Sequence, residues 1–238
     1  AGYMNLPKAL LFSSGYAANM GILTALAGRG DTIYADKLNH ACLNDGALLS
    51  RAGFKRYPHT DHSKLAAMLA AAPTGGRKLI VTDAVFSMDG DIAPLPELLA
   101  LADQHDALLV IDDAHGFGVL GYRGKGSLEH FNLRSERIVY MATLGKAAGG
   151  YGAFVAGHDD VVEWILQSAR TYLFTTATPP AIAAAMSASL DLMQEDRERL
   201  KHLRTLIDFF GDSLKLQYAK LPFSQTAIQP VLIGDNAT

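Results

Sequence analysis

The sequence predicts an α/β fold in which a mainly parallel β-sheet carries helices on both faces. Short apolar runs rich in branched residues alternate along the chain with segments whose apolar residues recur at helical spacing. The run ALLVI at residues 107–111 is apolar throughout, which is typical of a strand covered on both faces. Strands that are separated by helices in this way usually pair in parallel.

The individual elements follow from the same periodicities. The predicted strands are residues 10–12, 31–36, 55–57, 78–86, 107–115, 137–142 and 153–156. The predicted helices are residues 16–28, 41–53, 61–72, 94–105 and 158–170, followed by a long helical region from 179 to about 217. The strands at 137–142 and 153–156 are too close in sequence for a crossover helix, so we expect one antiparallel strand there.

Composition excludes several classes of protein. The 238 residues are 49% hydrophobic and 19% charged, which argues against disorder. The net charge of −3 gives no electrostatic footprint for nucleic acid. A single cysteine, Cys42, excludes an intrachain disulfide and a multi-cysteine zinc site. Because there is neither an apolar run of membrane-spanning length nor a signal peptide, we expect a soluble, cytoplasmic protein.

Lys146 is the first candidate for chemistry. It follows the predicted strand at 137–142, and glycines surround it at positions 145, 149, 150 and 152. Neighbours with so little side chain leave a lysine accessible to a flat ligand. Burial lowers the pKa of a lysine and makes its amine available for Schiff-base formation. The pattern therefore indicates an imine-forming lysine, although most lysines are solvated surface charges.

Two nucleotide-binding motifs fail, and a metal site is disfavoured. Residues 116–121 fit G-x-G-x-x-G, but the following GYRGKG stretch cannot begin a helix. A P-loop needs glycine at position 140 and Ser or Thr at 147, where the chain has tyrosine and alanine. Asp112, Asp113 and His115 could bind a metal, but adjacent aspartates on a strand point to opposite faces. No metal is expected, and metal binding remains an alternative.

Several polar side chains should meet at the carboxyl edge of the sheet, where open α/β sheets bind ligands. The group consists of Gly15 at a helix start, His40, Ser87, Asp112, Thr143 and Lys146. A lysine can form an imine with an aldehyde, and a strand-end aspartate can keep a pyridine nitrogen protonated. A helix N-terminus can bind a phosphate, and an imidazole can stack on a ring. Pyridoxal phosphate (PLP) is the cofactor with all of these features.

The chain resembles the α-oxoamine synthases, a branch of the fold-type I PLP enzymes. The matching stretches are SGYAAN at 14–19, NHA at 39–41, FSMDGD at 86–91, DDAHGFGVLG at 112–121, TLGKAAG at 143–149 and TTATPP at 175–180. The resemblance implies the PLP fold-type I large domain over 1–180, a connecting helical region over 181–218, and the truncated start of a C-terminal α+β domain over 219–238. The first residue is not methionine, and a strand-like run at 228–233 comes just before the end, so we expect a central fragment.

The resemblance also implies a role for each matched residue. Lys146 would form the imine with PLP and later transfer protons. Asp112 would pair with the pyridine nitrogen, His115 with the phenolic oxygen, and His40 would stack on the ring. The remaining expected cofactor-binding residues are Gly15, Tyr16, Ser87, Thr143 and, reaching the phosphate of a neighbouring subunit, Thr175 and Thr176. Four of these residues also have a purely structural interpretation. His40 could begin a helix, Ser87 could form a turn, and Thr175 and Thr176 could cap the helix that follows them.

The implied reaction is a decarboxylative condensation of an amino acid with an acyl thioester in a homodimer with shared active sites. The stretches at 112–121 and 227–236 most resemble the members that join L-alanine to a pimeloyl thioester in biotin synthesis. The thioester would be carried by coenzyme A or by an acyl carrier protein. Two alternatives stay open: the branch that uses glycine and acetyl-CoA, and a fragment that keeps the fold without activity.

Overall fold

The computed structural model describes residues 1–214 and 224–234 and contains a seven-stranded sheet. The strands are β1 (Lys8–Phe12), β2 (Thr32–Asp36), β3 (Gly53–Tyr57), β4 (Lys78–Asp83), β5 (Ala107–Asp112), β6 (Ile138–Thr143) and β7 (Ala153–Gly157). After a 3₁₀ turn at Gly2–Met4, the helices are α1 (Gly15–Leu26), α2 (Ala41–Ser50), α3 (His62–Ala70), α4 (Leu95–Gln104), α5 (Ser127–His130), α6 (Asp159–Ser168), α7 (Arg170–Leu173), α8 (Pro180–Glu195) and α9 (Arg197–Ser213).

The strand order is β1-β7-β6-β5-β4-β2-β3. Only β7 runs against the rest, antiparallel to both β6 and β1, which confirms the predicted sheet with one antiparallel strand. The nine residues between Thr143 and Ala153 form a tight loop, too short for a crossover helix. Because β4, β5 and β6 pair in parallel, their carboxyl ends lie at the same edge of the sheet.

Helices cover both faces of the sheet, as predicted. Alternate residues of β6 belong to two separate cores: Val139 and Met141 face α1 and α6, whereas Tyr140 and Ala142 face α4 and α8. This alternation follows from the two-residue period of a strand. It places a charged residue that ends a strand on one face or the other according to its position alone.

Some element boundaries differ from the prediction. The strand predicted over 78–86 ends at Asp83, and residues 84–86 are buried in a turn instead. The strand predicted over 107–115 ends at Asp112, because the Asp112 carboxylate accepts the Ala114 backbone N–H and starts a turn. The helical region predicted from 179 to about 217 is two helices over the described residues, and 215–217 lie outside them. Asp196 separates them and caps α9 by accepting the N–H of Arg199.

The predicted division into domains stays a prediction. Residues 215–218, 219–223 and 235–238, on which part of it rests, lie outside the described residues. In the described segment 224–234, Ser224 and Thr226 are buried against the turn that follows β4. Among the helices of the described ranges, none is both long and apolar enough to cross a bilayer.

Candidate active site

Lys146 stands on a rigid loop between β6 and β7. The loop is closed by backbone bonds from Leu144 N–H to the Gly152 carbonyl and from Gly150 N–H to the Leu144 carbonyl, both 2.8 Å. At its base, the Thr143 hydroxyl donates to the Gly152 carbonyl and accepts the Gly145 N–H. A Cβ on Gly150 would lie 1.8 Å from Met186 Cε, so the Met186 side chain would have to move to admit one. Local hydrogen bonds thus fix the position of the lysine backbone.

The structure brings Lys146 and His115 together. Lys146 Nζ lies 2.6 Å from His115 Nε2. Burial and the nearby charge of Lys146 lower the pKa of His115 to about 4, so the imidazole is neutral at neutral pH. In the neutral tautomer with its proton on Nδ1, Nε2 accepts a hydrogen bond from the ammonium of Lys146. Burial also lowers the pKa of Lys146, although the negative charges of Asp112 and Asp83 oppose this.

Asp112 ends β5 in a buried position. Its Oδ1 accepts the Ala114 N–H at 2.9 Å, and its Oδ2 accepts the side-chain amide of Asn19 at 2.6 Å. Burial raises the pKa of Asp112, and these two hydrogen bonds work in the opposite direction. Asp113 points to the other face, where Oδ2 accepts the Tyr140 hydroxyl at 2.7 Å. The predicted opposite orientation of the two aspartates is what the structure shows.

Asp83 belongs to the same site, and sequence reasoning missed it. It ends β4 and pairs in register with Asp112 on β5, so the two buried carboxylates are neighbours. Burial and the charge of Asp112 raise the pKa of Asp83 well above its ordinary value. Its Oδ2 accepts the His40 backbone N–H at 2.6 Å. The only signal in the sequence was an aspartate inside an apolar strand.

His40 is a helix cap that also faces the site. Its Nδ1 accepts the Cys42 N–H at 3.2 Å and lies 2.9 Å from Cys42 Sγ, so the helix-start reading is correct. The residue is nevertheless exposed and close enough for its charge to influence the pKa values of His115 and Asp112. Asn19 of α1, which sequence reasoning also missed, bonds both Cys42 Sγ and the Asp112 carboxylate.

The other predicted site residues lie on α1 and on the turn after β4. Gly15 is the first residue of α1, which Ser14 caps, and a Cβ on Gly15 would lie 4.0 Å from Thr143 Cβ. The Tyr16 hydroxyl donates to Asp45 Oδ2 at 2.9 Å. Ser87 is exposed at the tip of the turn after β4.

Thr175 and Thr176 are exposed on the segment between α7 and α8. They do not cap α8, because Pro179 occupies the N-cap position. The cap reading of these two threonines is therefore wrong, and their cofactor role stays a prediction.

A family model described as aminotransferase class I and II matches residues 2–238. The chain belongs to this family. Among its curated relatives, the 8-amino-7-oxononanoate synthase of Methylobacillus flagellatus is 58% identical over 98% of this chain and 59% of its own length. That of Azoarcus sp. is 57% identical over 99% of this chain and 60% of its own length. These relatives confirm the predicted membership of the α-oxoamine synthase branch of the aminotransferase family.

Two solved structures share the fold of this chain. A serine palmitoyltransferase from S. paucimobilis, solved with a bound PLP–myriocin aldimine, has a TM-score of 0.91 and 30% identity over 99% of this chain and 62% of its own. An 8-amino-7-oxononanoate synthase from Francisella tularensis has a TM-score of 0.79 and 36% identity over 89% of this chain and 61% of its own. The predicted fold-type I large domain is confirmed. The chain spans about three-fifths of the length of the curated relatives it matches.

Proposed function

We propose that the full-length protein uses PLP to condense L-alanine with a pimeloyl thioester, releasing carbon dioxide and 8-amino-7-oxononanoate. The single observation that carries this proposal is the contact of Lys146 Nζ with a neutral His115, beside the buried carboxylate of Asp112. The identity of 58% to an 8-amino-7-oxononanoate synthase supports the choice of reaction.

The residues present fit PLP. The capped N-terminus of α1 at Gly15 offers backbone N–H groups to a phosphate, with Thr143 near it. Asp112 is a buried carboxylate without a cationic hydrogen-bond partner among the described residues, and a protonated pyridine nitrogen would supply one. His115 Nε2 and Lys146 Nζ lie side by side for the phenolic oxygen and the aldehyde. When bound, PLP supplies a ring that accepts the electron pair left by decarboxylation.

Three residues of the chain then have defined tasks. Lys146 holds the cofactor and, with a lowered pKa, can take a proton at Nζ and return it. His115 is held in its neutral form and keeps Nε2 available as a hydrogen-bond partner. His40, fixed by Asp83 and Cys42, presents its ring at the border of the site.

Assembly and partners follow from the same family relationship. We infer a cytoplasmic homodimer in which Ser87 lies near the phenolic edge of the cofactor and Tyr16 beside it. Thr175 and Thr176, which are exposed on the chain described here, would reach the phosphate bound by the neighbouring subunit. Coenzyme A or an acyl carrier protein would carry the pimeloyl group.

Cofactor attachment can be tested on the 238-residue chain. Added PLP should give a visible absorbance band, and borohydride reduction followed by peptide mass spectrometry should place the cofactor on Lys146. Lys146→Ala should abolish the attachment. Lys64→Ala, at an exposed lysine of α3, is the matched control and should behave as the parent chain does. Attachment to another lysine would refute the assignment.

Substrate choice needs the full-length protein. Pimeloyl-CoA should be consumed with L-alanine and not with glycine or L-serine, and the product should have the mass of 8-amino-7-oxononanoate. Turnover of glycine with acetyl-CoA as the preferred pair would identify the other branch of the α-oxoamine synthases. Attachment of PLP without any condensation would contradict the proposed reaction and leave the cofactor site intact.

A further inference from the structure

The turn that carries Ser87 is an excursion from the sheet edge over residues 84–93. Its base is closed by backbone bonds from Ala93 N–H to the Ala84 carbonyl at 2.9 Å and from Phe86 N–H to the Asp91 carbonyl at 3.0 Å. Residues 87–89 form its exposed tip. The position of Ser87 therefore depends on what holds the base of the turn.

His59 holds one side of that base. Its Nε2 lies 2.8 Å from Asp91 Oδ2 on the turn, and its Nδ1 lies 3.0 Å from Asp36 Oδ1 at the end of β2. The imidazole also packs edge-on against Phe86, with 4.4 Å between ring centroids. Because both ring nitrogens face carboxylate oxygens, both must carry a proton, and the ring in this arrangement is an imidazolium.

The charges around His59 favour this form. Burial lowers the pKa of His59, but the hydrogen bonds and negative charges of Asp36 and Asp91 outweigh it and raise the pKa above its ordinary value. Two further groups lie near Asp36: burial and the charge of Asp36 raise the pKa of Tyr57 of β3, which stays neutral, and the charge of Asp36 contributes to the raised pKa of Asp83 of β4.

The segment 224–228 holds the other side of the base. The hydroxyls of Ser224 and Thr226 donate to the Gly90 carbonyl at 2.7 and 3.2 Å. Gly90 has a φ of +72°, and a Cβ there would lie 2.6 Å from the Ile228 carbonyl oxygen. The base of the turn thus lies between His59 and a segment distant in sequence.

We propose that His59, by bridging Asp36 and Asp91, is a positioning residue that sets the place of Ser87 at the cofactor site. The relevance of Ser87 to the cofactor rests on the proposed function, whereas the bridge itself does not. Loss of the proton from His59 removes one of the two bridging hydrogen bonds. The link from Asp36 to Asp91 is then broken, and the turn is held by its own backbone bonds and by residues 224–228, so its tip gains freedom.

A reporter that needs no cofactor tests the bridge. Met88 is 80% exposed at the tip of the turn, and the native thiol of Cys42 is buried with a pKa raised to about 12, so Met88→Cys gives one reactive thiol for a nitroxide label. The electron paramagnetic resonance spectrum should show a less mobile label at pH 6, and the mobility of the label should increase as pH rises through the pKa of His59.

Matched variants separate the bridge from a general loss of structure. His59→Gln and the milder Asp91→Asn should give a mobile label at every pH, with the circular dichroism spectrum of the parent chain. His62→Gln, at an exposed histidine three residues away, is the control and should change nothing. A label with the same mobility in His59→Gln and in the parent at pH 6 would overturn the proposal.

The link to the cofactor is measured separately. His59→Gln should weaken PLP binding about tenfold, because the charge-assisted contacts of His59 with Asp36 and Asp91 are lost and Ser87 is less well placed. Attachment to Lys146 should persist, because the substitution does not touch the lysine. If His59→Gln and Asp91→Asn bind PLP at Lys146 with the same affinity as the parent chain at every pH from 6 to 9, the positioning role is overturned. Failure of the parent chain to attach PLP at Lys146 would instead refute the proposed function, and the label would still report on the bridge.

Discussion

Asp113 makes folding stability depend on pH in a way that one substitution should remove. The carboxyl group is fully buried, and its Oδ2 accepts the Tyr140 hydroxyl at 2.7 Å and the Ser127 N–H at 2.6 Å. Its Oδ1 is buried without a hydrogen-bond partner among the described residues. Burial raises the pKa of Asp113 to about 7, against the lowering effect of the two hydrogen bonds.

The sign of the effect follows from proton binding. The folded carboxyl holds its proton up to a pKa of about 7, whereas the unfolded one loses it near 3.8. Protonation therefore favours the folded state below pH 7, and this stability is lost as pH rises through the folded pKa. Between pH 5 and 7 the loss is about 1.4 kcal/mol per pH unit, or roughly 3 kcal/mol by pH 8.

Asp113→Asn should abolish this dependence. An asparagine oxygen can accept the same two hydrogen bonds, and the amide never ionises. The free energy of unfolding of the variant, relative to the parent, should therefore increase by roughly 3 kcal/mol between pH 5 and 8. Urea unfolding followed through Trp164, the single tryptophan, measures both chains at each pH. Parallel stability curves for the two chains would refute the reasoning.

Two further predictions concern glycines with positive φ and the buried carboxyl group of Asp83. Gly126→Ala should destabilise the fold by more than about 3 kcal/mol, because a Cβ would lie 2.2 Å from Asp113 Oδ2. Gly149 also has a positive φ, but nothing lies within 4 Å of its Cβ position, so Gly149→Ala should cost only about 1 kcal/mol. Thermal unfolding of the two variants measures both costs, and equal costs would contradict the steric argument. Asp83→Asn should stabilise the chain without PLP at neutral pH, because it removes a buried carboxyl group that is unfavourable to ionise. It should also lower the pKa of Lys146 further, because the negative charge of Asp83 raises that pKa. Urea unfolding and the pH dependence of PLP attachment measure these two effects, and a less stable variant would contradict the first.

The sheet could be predicted because its determinants are local. Buried strands are apolar runs, and the short connection before Ala153 forces β7 to run antiparallel. Lys146, Asp112 and His115 could be found for the same reason, since each lies within a few residues of a strand end. Their meeting at one edge follows from parallel pairing, which the alternation of strands and helices predicts.

Asp83 and Asn19 could not be found in this way. The apolar residues 84–86 extend the run of β4, and only the register with β5 shows that Asp83 ends the strand opposite Asp112. Asn19 appears as one polar residue in an apolar helix until α1 is packed against the sheet. Its amide then reaches an aspartate 93 positions away, a contact with no trace in local periodicity.

The lysine cannot be understood without the two carboxylates. Burial lowers the pKa of Lys146, and Asp112 and Asp83 hold it up. In the same way, Asp112 raises the pKa of Asp83, so the carboxylates repel each other when both are ionised. A ligand that brings a positive charge to Asp112 reduces the repulsion between the two carboxylates. It also weakens the electrostatic attraction between Asp112 and the ammonium of Lys146. The acidic sheet edge therefore favours a cationic ring as its ligand, and binding of that ring makes the Lys146 amine easier to deprotonate.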